Sequence, residues 1–205
     1  MNQVYLINKD TFADFEDISL NVPDKRIAVF VKKAQDLDLK LFFGHAFYYD
    51  FIKWFNDDGS FKNNTPDSYK NLFNGVEYQD RFGNDIIFEG VIPALIYWTF
   101  ARFIEADGVH YTATGPVYKS GDNSQALTVS EKTKLVQQQR SVANAHANEV
   151  QKFLMDNRKD YPLWNYNSKN KSGRQSGPRL RGVDRTDFNM PYNNGLNNNL
   201  TDYLY

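Results

Sequence analysis

Apolar residues recur at three- and four-residue spacing in several stretches of the chain, a pattern typical of amphipathic helices. The first stretch has Asn21 as a candidate N-cap, Pro23 in the first turn and Gly44 as a stop. The spacing predicts one helix between these ends. Its predicted buried stripe consists of Ile27, Phe30, Val31, Ala34, Leu37 and Leu41.

Two shorter helices are predicted next. An aromatic helix over about 46–56 would carry most of its large side chains on one side, namely Phe47, Phe51, Trp54 and Phe55. Thr65, Pro66 and Asp67 then supply a cap, a first-turn proline and a favourable charge for a helix that closes at 74–75.

The pattern changes between residues 76 and 88, where apolar and polar residues alternate around a turn at 82–85, and this predicts a small β-hairpin. Residues 91–106 are apolar nearly all round, which predicts a central helix buried on most faces. Residues 109–126 have the composition of an exposed loop, whose Tyr111, Val117 and Tyr118 are compatible with an edge strand or an extended hairpin.

Thr128 and Glu131 have the spacing of a capping box, which predicts the start of the longest helix, running to about residue 157. Its apolar stripe is partial and consists of Leu135, Val142, Ala145, Val150, Phe153 and Leu154. Much of the remaining surface is polar, with Gln137, Gln138, Gln139, Arg140, Asn144 and Asn148. Such a helix can pack against a core and a neighbouring subunit together.

Composition supports one domain, residues 1–164, followed by an extended arm, residues 165–205. The 205 residues are 41% apolar and 24% charged, which suffices for one core. The domain, which we call the body, holds 18 basic and 22 acidic side chains. The arm holds 6 basic and 3 acidic side chains and is rich in Asn, Gly and Ser. We therefore predict a mainly α fold with a small β-hairpin, a long C-terminal helix and an arm that becomes ordered on a partner.

The overall charge of −1 excludes a uniformly cationic surface, and the lack of cysteine excludes thiol chemistry and disulfides. No apolar run approaches the length of a membrane span, and the N-terminus lacks the features of a signal peptide. We expect a soluble protein that folds inside the cell and makes no membrane contact. Aromatic residues reach 16%, which suits a protein that buries surface against partners as well as in its core.

The sequence contains little that supports a catalytic site or a metal site. Of the three histidines, His45, His110 and His146, only His146 has a carboxylate at helical spacing, Glu149, and one pair falls short of a metal site. Phosphate-binding loops and serine-hydrolase motifs are absent from the sequence. The carboxylates that could form a glycosidase pair, Asp36, Asp38, Asp50, Glu89 and Glu105, are expected on solvated faces, and Arg102 with Glu105 is expected to form a local ion pair. We predict no enzyme, no metal and no cofactor.

The basic arm leaves three interpretations open: a solvated linker, a nucleic-acid contact through its lysines and arginines, or a peptide that docks on a protein surface. Apolar anchors in its polar background favour docking, namely Phe188, Met190, Pro191, Tyr192, Leu196, Leu200, Tyr203 and Leu204. A linker would not need these anchors.

The order of four segments resembles the head-to-tail connector (adaptor) proteins of tailed bacteriophages, most closely those of the crAss-like group. These segments are DISLNVPDKRIAVFVKKAQDLDLKLFFGHAFYYDF (17–51), LFNGVEYQDRFGNDIIFEGVIPALIYWTFARFI (72–104), TATGPVYK (112–119) and ANEVQKFLMDNRKDYPLW (147–164). The resemblance covers about residues 5–164, and the arm has no counterpart in it.

The resemblance implies a structural virion protein without catalytic residues. Such proteins form a ring, usually twelvefold, below the portal at the capsid vertex, extend the DNA ejection channel and join capsid to tail. The implied partners are copies of the chain itself, the portal protein, the next connector or tail ring, and packaged DNA through non-specific contact. The alternative is a nucleic-acid-binding module that uses the basic arm. The resemblance also implies that the protein is made in the host cytoplasm and assembled at the neck of the virion.

On this interpretation, the loop and the arm carry the partner-binding residues. From the loop we predict Tyr111, Thr112, Thr114, Gly115, Val117 and Tyr118. From the arm we predict Arg174, Arg179, Arg181, Arg185, Phe188 and Tyr192.

Overall fold

A computed structural model describes residues 3–16, 22–106, 109–112, 115–118 and 128–164. For 109–112 and 115–118 it describes the backbone only. The predicted division of the chain at residue 164 stays a prediction, because residues 165–205 lie outside the described part.

The predicted first helix is interrupted by a π-helix. α2 spans Asp24–Ala34, the π-helix Gln35–Leu39 follows without a break, and α3 spans Lys40–Phe43 before Gly44, whose φ is +79°. The cap position is Pro23, which makes no side-chain cap bond, and Asn21 lies outside the described residues. α1 (Lys9–Ala13) is a short helix that precedes α2 and that the pattern did not predict. The Asn8 side chain caps its start.

The π-helix makes part of the predicted stripe wrong. Leu37 and Leu41 are 49% and 65% exposed, whereas Leu39 and Phe43 are buried. Because a π-turn accommodates one residue more than an α-turn, the face that points to the core falls on later positions after Ala34. Gln35 is fully buried at this point, where its Oε1 accepts a hydrogen bond from the Leu6 amide at 3.1 Å and its Nε2 donates one to the Val4 carbonyl at 3.2 Å.

The two shorter helices form largely as predicted. α4 spans His45–Ile52, ending four residues earlier than expected, and α5 spans Asp67–Asn74. Pro66 occupies the cap position of α5, while the Thr65 hydroxyl donates to backbone carbonyls behind it instead of capping. Aromatic side chains from these helices and their neighbours form one cluster, which consists of Phe43, Phe47, Phe51, Phe55, Tyr69, Phe73 and Tyr161.

One antiparallel β-hairpin precedes the central helix in the chain, and a second follows it. β1 (Val76–Gln79) pairs with β2 (Asp85–Phe88), confirming the predicted hairpin. α6 spans Ile92–Ala106 and is buried on most faces, as expected. β3 (Val109–Thr112) then pairs with β4 (Gly115–Tyr118), so the loop adopts the hairpin alternative.

α7 spans Val129–Asp156, and both hydrogen bonds of the predicted capping box are present between Thr128 and Glu131. Its buried residues are Ala143, Ala147, Val150, Phe153 and Leu154. The predicted stripe is therefore correct in its second half, whereas Leu135 and Val142 are half-buried and Ala145 is exposed. The fold is mainly α, with small hairpins and a long last helix, as predicted.

The core is centred on α6, which packs against α2 on one side and α7 on another. β2 joins the core through Phe88, whose ring stacks on that of Phe153 at a centroid distance of 4.1 Å. Tyr161 closes the far end of the helix bundle, where its hydroxyl donates to the Ser68 carbonyl at 2.6 Å. Within the described ranges, no helix is both long and apolar enough to cross a membrane.

Candidate functional site

The β3–β4 hairpin contains most of the predicted loop residues. Tyr111 and Thr112 lie on β3, opposite Pro116 and Gly115 of β4. Val117 and Tyr118 also lie on β4, opposite residues 110 and 109. The strands thus hold five of the six predicted loop residues within one paired unit. Thr114 lies outside the described residues.

The predicted arm residues, Arg174, Arg179, Arg181, Arg185, Phe188 and Tyr192, all lie outside the described residues. Their assignment to a partner surface stays a prediction.

α6 and α7 run antiparallel, and two side-chain contacts show which residues of the two helices lie side by side. The rings of Tyr97 and His146 stack at 5.6 Å, and Arg140 lies 3.4 Å from Glu105 near the end of α6. Because α6 ends at Ala106, α7 extends past it by roughly ten residues, or about 15 Å of helix. The hairpin begins three residues after Ala106, so chain length keeps its start within about 11 Å of that same end.

We call the β3–β4 hairpin and residues 129–142 of α7 the distal end. None of the side chains at 129–142 is buried, and Val129 is 84% exposed, while Leu135 and Val136 are half-buried. A helix normally buries an apolar face for stability. The first half of α7 therefore leaves apolar and polar groups partly exposed, and their contact with a neighbouring subunit stays a prediction.

The start of α7 is held by its own capping interactions. The Thr128 amide donates to Glu131 Oε2 at 2.9 Å, and the Glu131 amide donates back to the Thr128 hydroxyl at 3.3 Å. Hydrogen bonds from the Thr128 side chain and backbone hold the pKa of Glu131 below its ordinary value. The capping box therefore stabilises the start of α7 locally.

Four of the five carboxylates considered for catalysis pair with a lysine or an arginine. Asp36 pairs with Lys32, Asp50 with Lys53, and Glu105 with Arg140. The expected local pair between Arg102 and Glu105 is wrong, because Arg102 instead binds Asp38 in a bidentate pair, with N–O distances of 2.5 and 2.8 Å. The hydrogen-bonded Asp38 carboxylate raises the pKa of Arg102 despite its burial.

The structure also adds a partner to the one histidine–carboxylate pair visible in the sequence. Glu89, in the connection between β2 and α6, lies beside His146 and Glu149 of α7. These three form the one group among the described residues with ligand atoms close enough to hold a metal ion. Sequence spacing carries no signal for Glu89, because only the packing of α7 brings it there.

The described part of the chain is a helical domain with two hairpins, and the first half of its longest helix has no fully buried side chain. Residues 39–174, more than half of the chain, match a family described as a family of unknown function, DUF6712. The protein belongs to this family. The match contains the distal end and the Glu89–His146–Glu149 cluster, whereas α1 and α2 precede it. Neither the curated proteins nor the solved structures include a match to this chain.

Proposed function

We propose that the protein is a ring-forming subunit of a phage head-to-tail connector, made in the host cytoplasm and assembled at the neck of the virion. In this role it joins the portal above to the next connector or tail ring below, and it extends the DNA channel. The observation that carries the proposal is the distal end, where the first half of the longest helix has no fully buried side chain.

The contact proposed between subunits is heterologous: the distal end of one copy meets the body of the next. A contact of this kind closes into a ring when the rotation between copies divides a full turn. Each interface can remain modest, on the order of 1,600 Å² in total, because closure supplies avidity.

Charge distribution supports this arrangement. Residues 129–142 carry Lys132, Lys134 and Arg140 against the single acidic residue Glu131, whereas the body as a whole has four more acidic than basic side chains. A basic distal end therefore meets a net acidic neighbour. Complementary charge favours the head-to-tail contact over contact between two distal ends.

The order of sequence segments that resembles phage connectors is the second support. The four segments include the aromatic helices, the central helix, the hairpin loop and the end of α7. Family membership is neutral, because the family is described without a function. The resemblance therefore supplies the biological setting, and the distal end supplies the physical reason for assembly.

The test is the mass of the purified protein by light scattering, alone and mixed with the portal protein of the same phage, with electron microscopy of the large species. We expect a ring, either alone or on the portal. A double substitution, Lys132→Glu with Lys134→Glu, should prevent assembly. The matched control, Lys25→Glu with Lys159→Glu, makes the same charge change outside the distal end and should leave rings intact.

The rival function, a nucleic-acid-binding module, is favoured by the charge of the arm, six basic against three acidic residues. If six phosphate contacts carry the function, DNA affinity should fall by about 10³-fold between 50 and 200 mM salt. A monomer that ignores the portal and binds DNA with this salt dependence would replace the connector proposal.

A further inference from the structure

Three potential metal ligands meet on the surface beside α7. The Nδ1 atom of His146 lies 3.6 Å from Glu89 Oε2 and 3.6 Å from Glu149 Oε2. One ligand atom from each of the three residues lies within 4.8 Å of the others. The ligands come from two separate parts of the chain, the β2–α6 connection and α7, so the cluster is a product of the fold.

The separations fit ligands around a shared ion better than they fit direct hydrogen bonds. At 3.6 Å, each nitrogen–oxygen pair exceeds the range of an N–H···O hydrogen bond. Zinc binds nitrogen and oxygen at about 2.0–2.2 Å, so tetrahedral ligand atoms stand about 3.3–3.6 Å apart. Little side-chain movement is needed to bind an ion between them.

The histidine is held in place and the carboxylates are accessible. The imidazole is 23% exposed and lies parallel to the Tyr97 ring, with an interplanar angle of 1°. The side chains of Glu89 and Glu149 are 59% and 62% exposed. A fixed nitrogen ligand with two solvent-facing carboxylates leaves an open position for water, as in three-ligand zinc sites.

The local charge also favours a cation. In the described part of the chain, neither Glu89 nor Glu149 forms an ion pair with a lysine or an arginine. A single imidazole, even when protonated, neutralises at most one of the two carboxylates. A divalent cation would neutralise both and would bring the three side chains together.

We propose that Glu89, His146 and Glu149 bind a divalent transition-metal ion of the zinc type. Mixed nitrogen and carboxylate ligands suit zinc, cobalt and related ions, whereas magnesium and calcium prefer oxygen alone. The bound ion would tie the β2–α6 connection to α7 at the start of its buried half. The proposal is independent of the connector function.

The experiment is titration of the purified full-length protein with Zn²⁺ by calorimetry, with the visible spectrum of Co²⁺ as a second readout. We expect one saturable site per chain and a cobalt spectrum of low coordination number. His146→Ala and Glu89→Gln should each weaken binding by at least about tenfold. Glu149→Gln changes a mostly exposed side chain and provides a third variant that does not threaten folding.

Two matched controls test specificity. His45→Ala removes an exposed histidine elsewhere, and Glu105→Gln removes an exposed carboxylate that pairs with Arg140. Both should bind zinc as the unchanged protein does. Absence of saturable zinc binding in the unchanged protein would overturn the proposal, and so would Glu89→Gln and Glu149→Gln variants that bind zinc as tightly as the unchanged protein.

Discussion

At the scale of single residues, the pair formed by Asp38 and Arg102 shows how a charge is accommodated in the core. The two residues lie 64 positions apart, and their side chains are only 12% and 17% exposed. Arg102 lies on the largely apolar α6, and Asp38 lies on the π-helix that packs against it. The bidentate geometry satisfies both groups and ties these two elements together.

Replacing Asp38 with Asn should destabilise the protein by about 2–4 kcal/mol, because it leaves a largely buried guanidinium without its carboxylate. Asp36→Asn is the matched control, since Asp36 lies on the same π-helix and forms a more exposed pair with Lys32. That change should cost about 0.5 kcal/mol or less. Urea denaturation followed by circular dichroism measures both, and equal losses would contradict the assigned role of Asp38.

Buried and half-buried tyrosines make the stability of the protein sensitive to alkali. Burial raises the pKa of Tyr48 and of Tyr78 from 10.0 to about 12, and it also raises the pKa of Tyr69 and Tyr161. Near Tyr78, the negative charge of Asp156 adds to the effect. In each case the folded protein keeps a phenolic proton that the unfolded chain loses near its ordinary pKa.

The contribution of these tyrosines to the free energy of unfolding should therefore be constant below about pH 10 and should fall as the pH rises towards about 12. The sign follows because the folded state binds more protons than the unfolded state in this window. Urea titrations across the window measure the slope, and Tyr78→Phe should make it shallower. A free energy that stayed level to pH 12 would contradict the burial of these hydroxyls.

At the scale of elements, the π-helix decides which side chains of the first long helix face the core. An uninterrupted α-helix would bury Leu37 and Leu41, as the sequence spacing predicts. The extra residue in the π-turn instead buries Leu39 and Phe43, and it places Gln35 where it binds the segment before α1. Apolar spacing alone could not show this, since the same stretch offers acceptable stripes in both registers.

The capping box should control the first half of α7 locally. Thr128→Ala should cost about 1 kcal/mol at this helix start and speed amide exchange over residues 131–142 about fivefold. Global stability should change little, because the buried residues of α7 begin at Ala143. Hydrogen exchange followed by mass spectrometry measures this.

Thr133→Ala is the matched control on the same half of α7. The Thr133 hydroxyl donates to the Val129 carbonyl at 2.8 Å, and alanine is the better helix former, so this change should slow exchange. If Thr128→Ala lowered global stability as much as it lowered local protection, the first half would have to be part of the core.

At the scale of the whole molecule, the last described residues complete the body. Tyr161 and Trp164 are buried, and the Tyr161 ring contacts Phe47, Tyr69 and Phe153 from three different elements. These contacts connect the chain after α7 to α4 and α5. A body that ends at Trp164 therefore retains the side chains that close its core.

Removal of residues 165–205 should leave a folded body, with an unchanged thermal unfolding midpoint, and should abolish docking to the portal or to the adjacent ring. Sedimentation of the truncated protein with assembled portal rings measures docking. Phe188→Ala with Tyr192→Ala should reproduce the loss if apolar anchors carry it. Replacement of Arg174, Arg179, Arg181 and Arg185 by Gln should reproduce it if charge does. Normal incorporation of the truncated protein into particles would contradict a docking role for the arm.

The sequence by itself determined most of the element types, α1 and the π-helix excepted, because helix periods, the Thr128–Glu131 capping box and the alternation in the first hairpin are local properties of neighbouring residues. It also marked the loop that pairs as β3–β4 and the weak apolar face of α7. Only the tertiary structure decided which residues distant in sequence meet. Arg102 binds Asp38 instead of its neighbour Glu105, and Glu89 joins His146 and Glu149. The first contact depends on how α6 packs against the π-helix, and the second on how α7 packs against the β2–α6 connection. Local periodicity carries no signal for either packing.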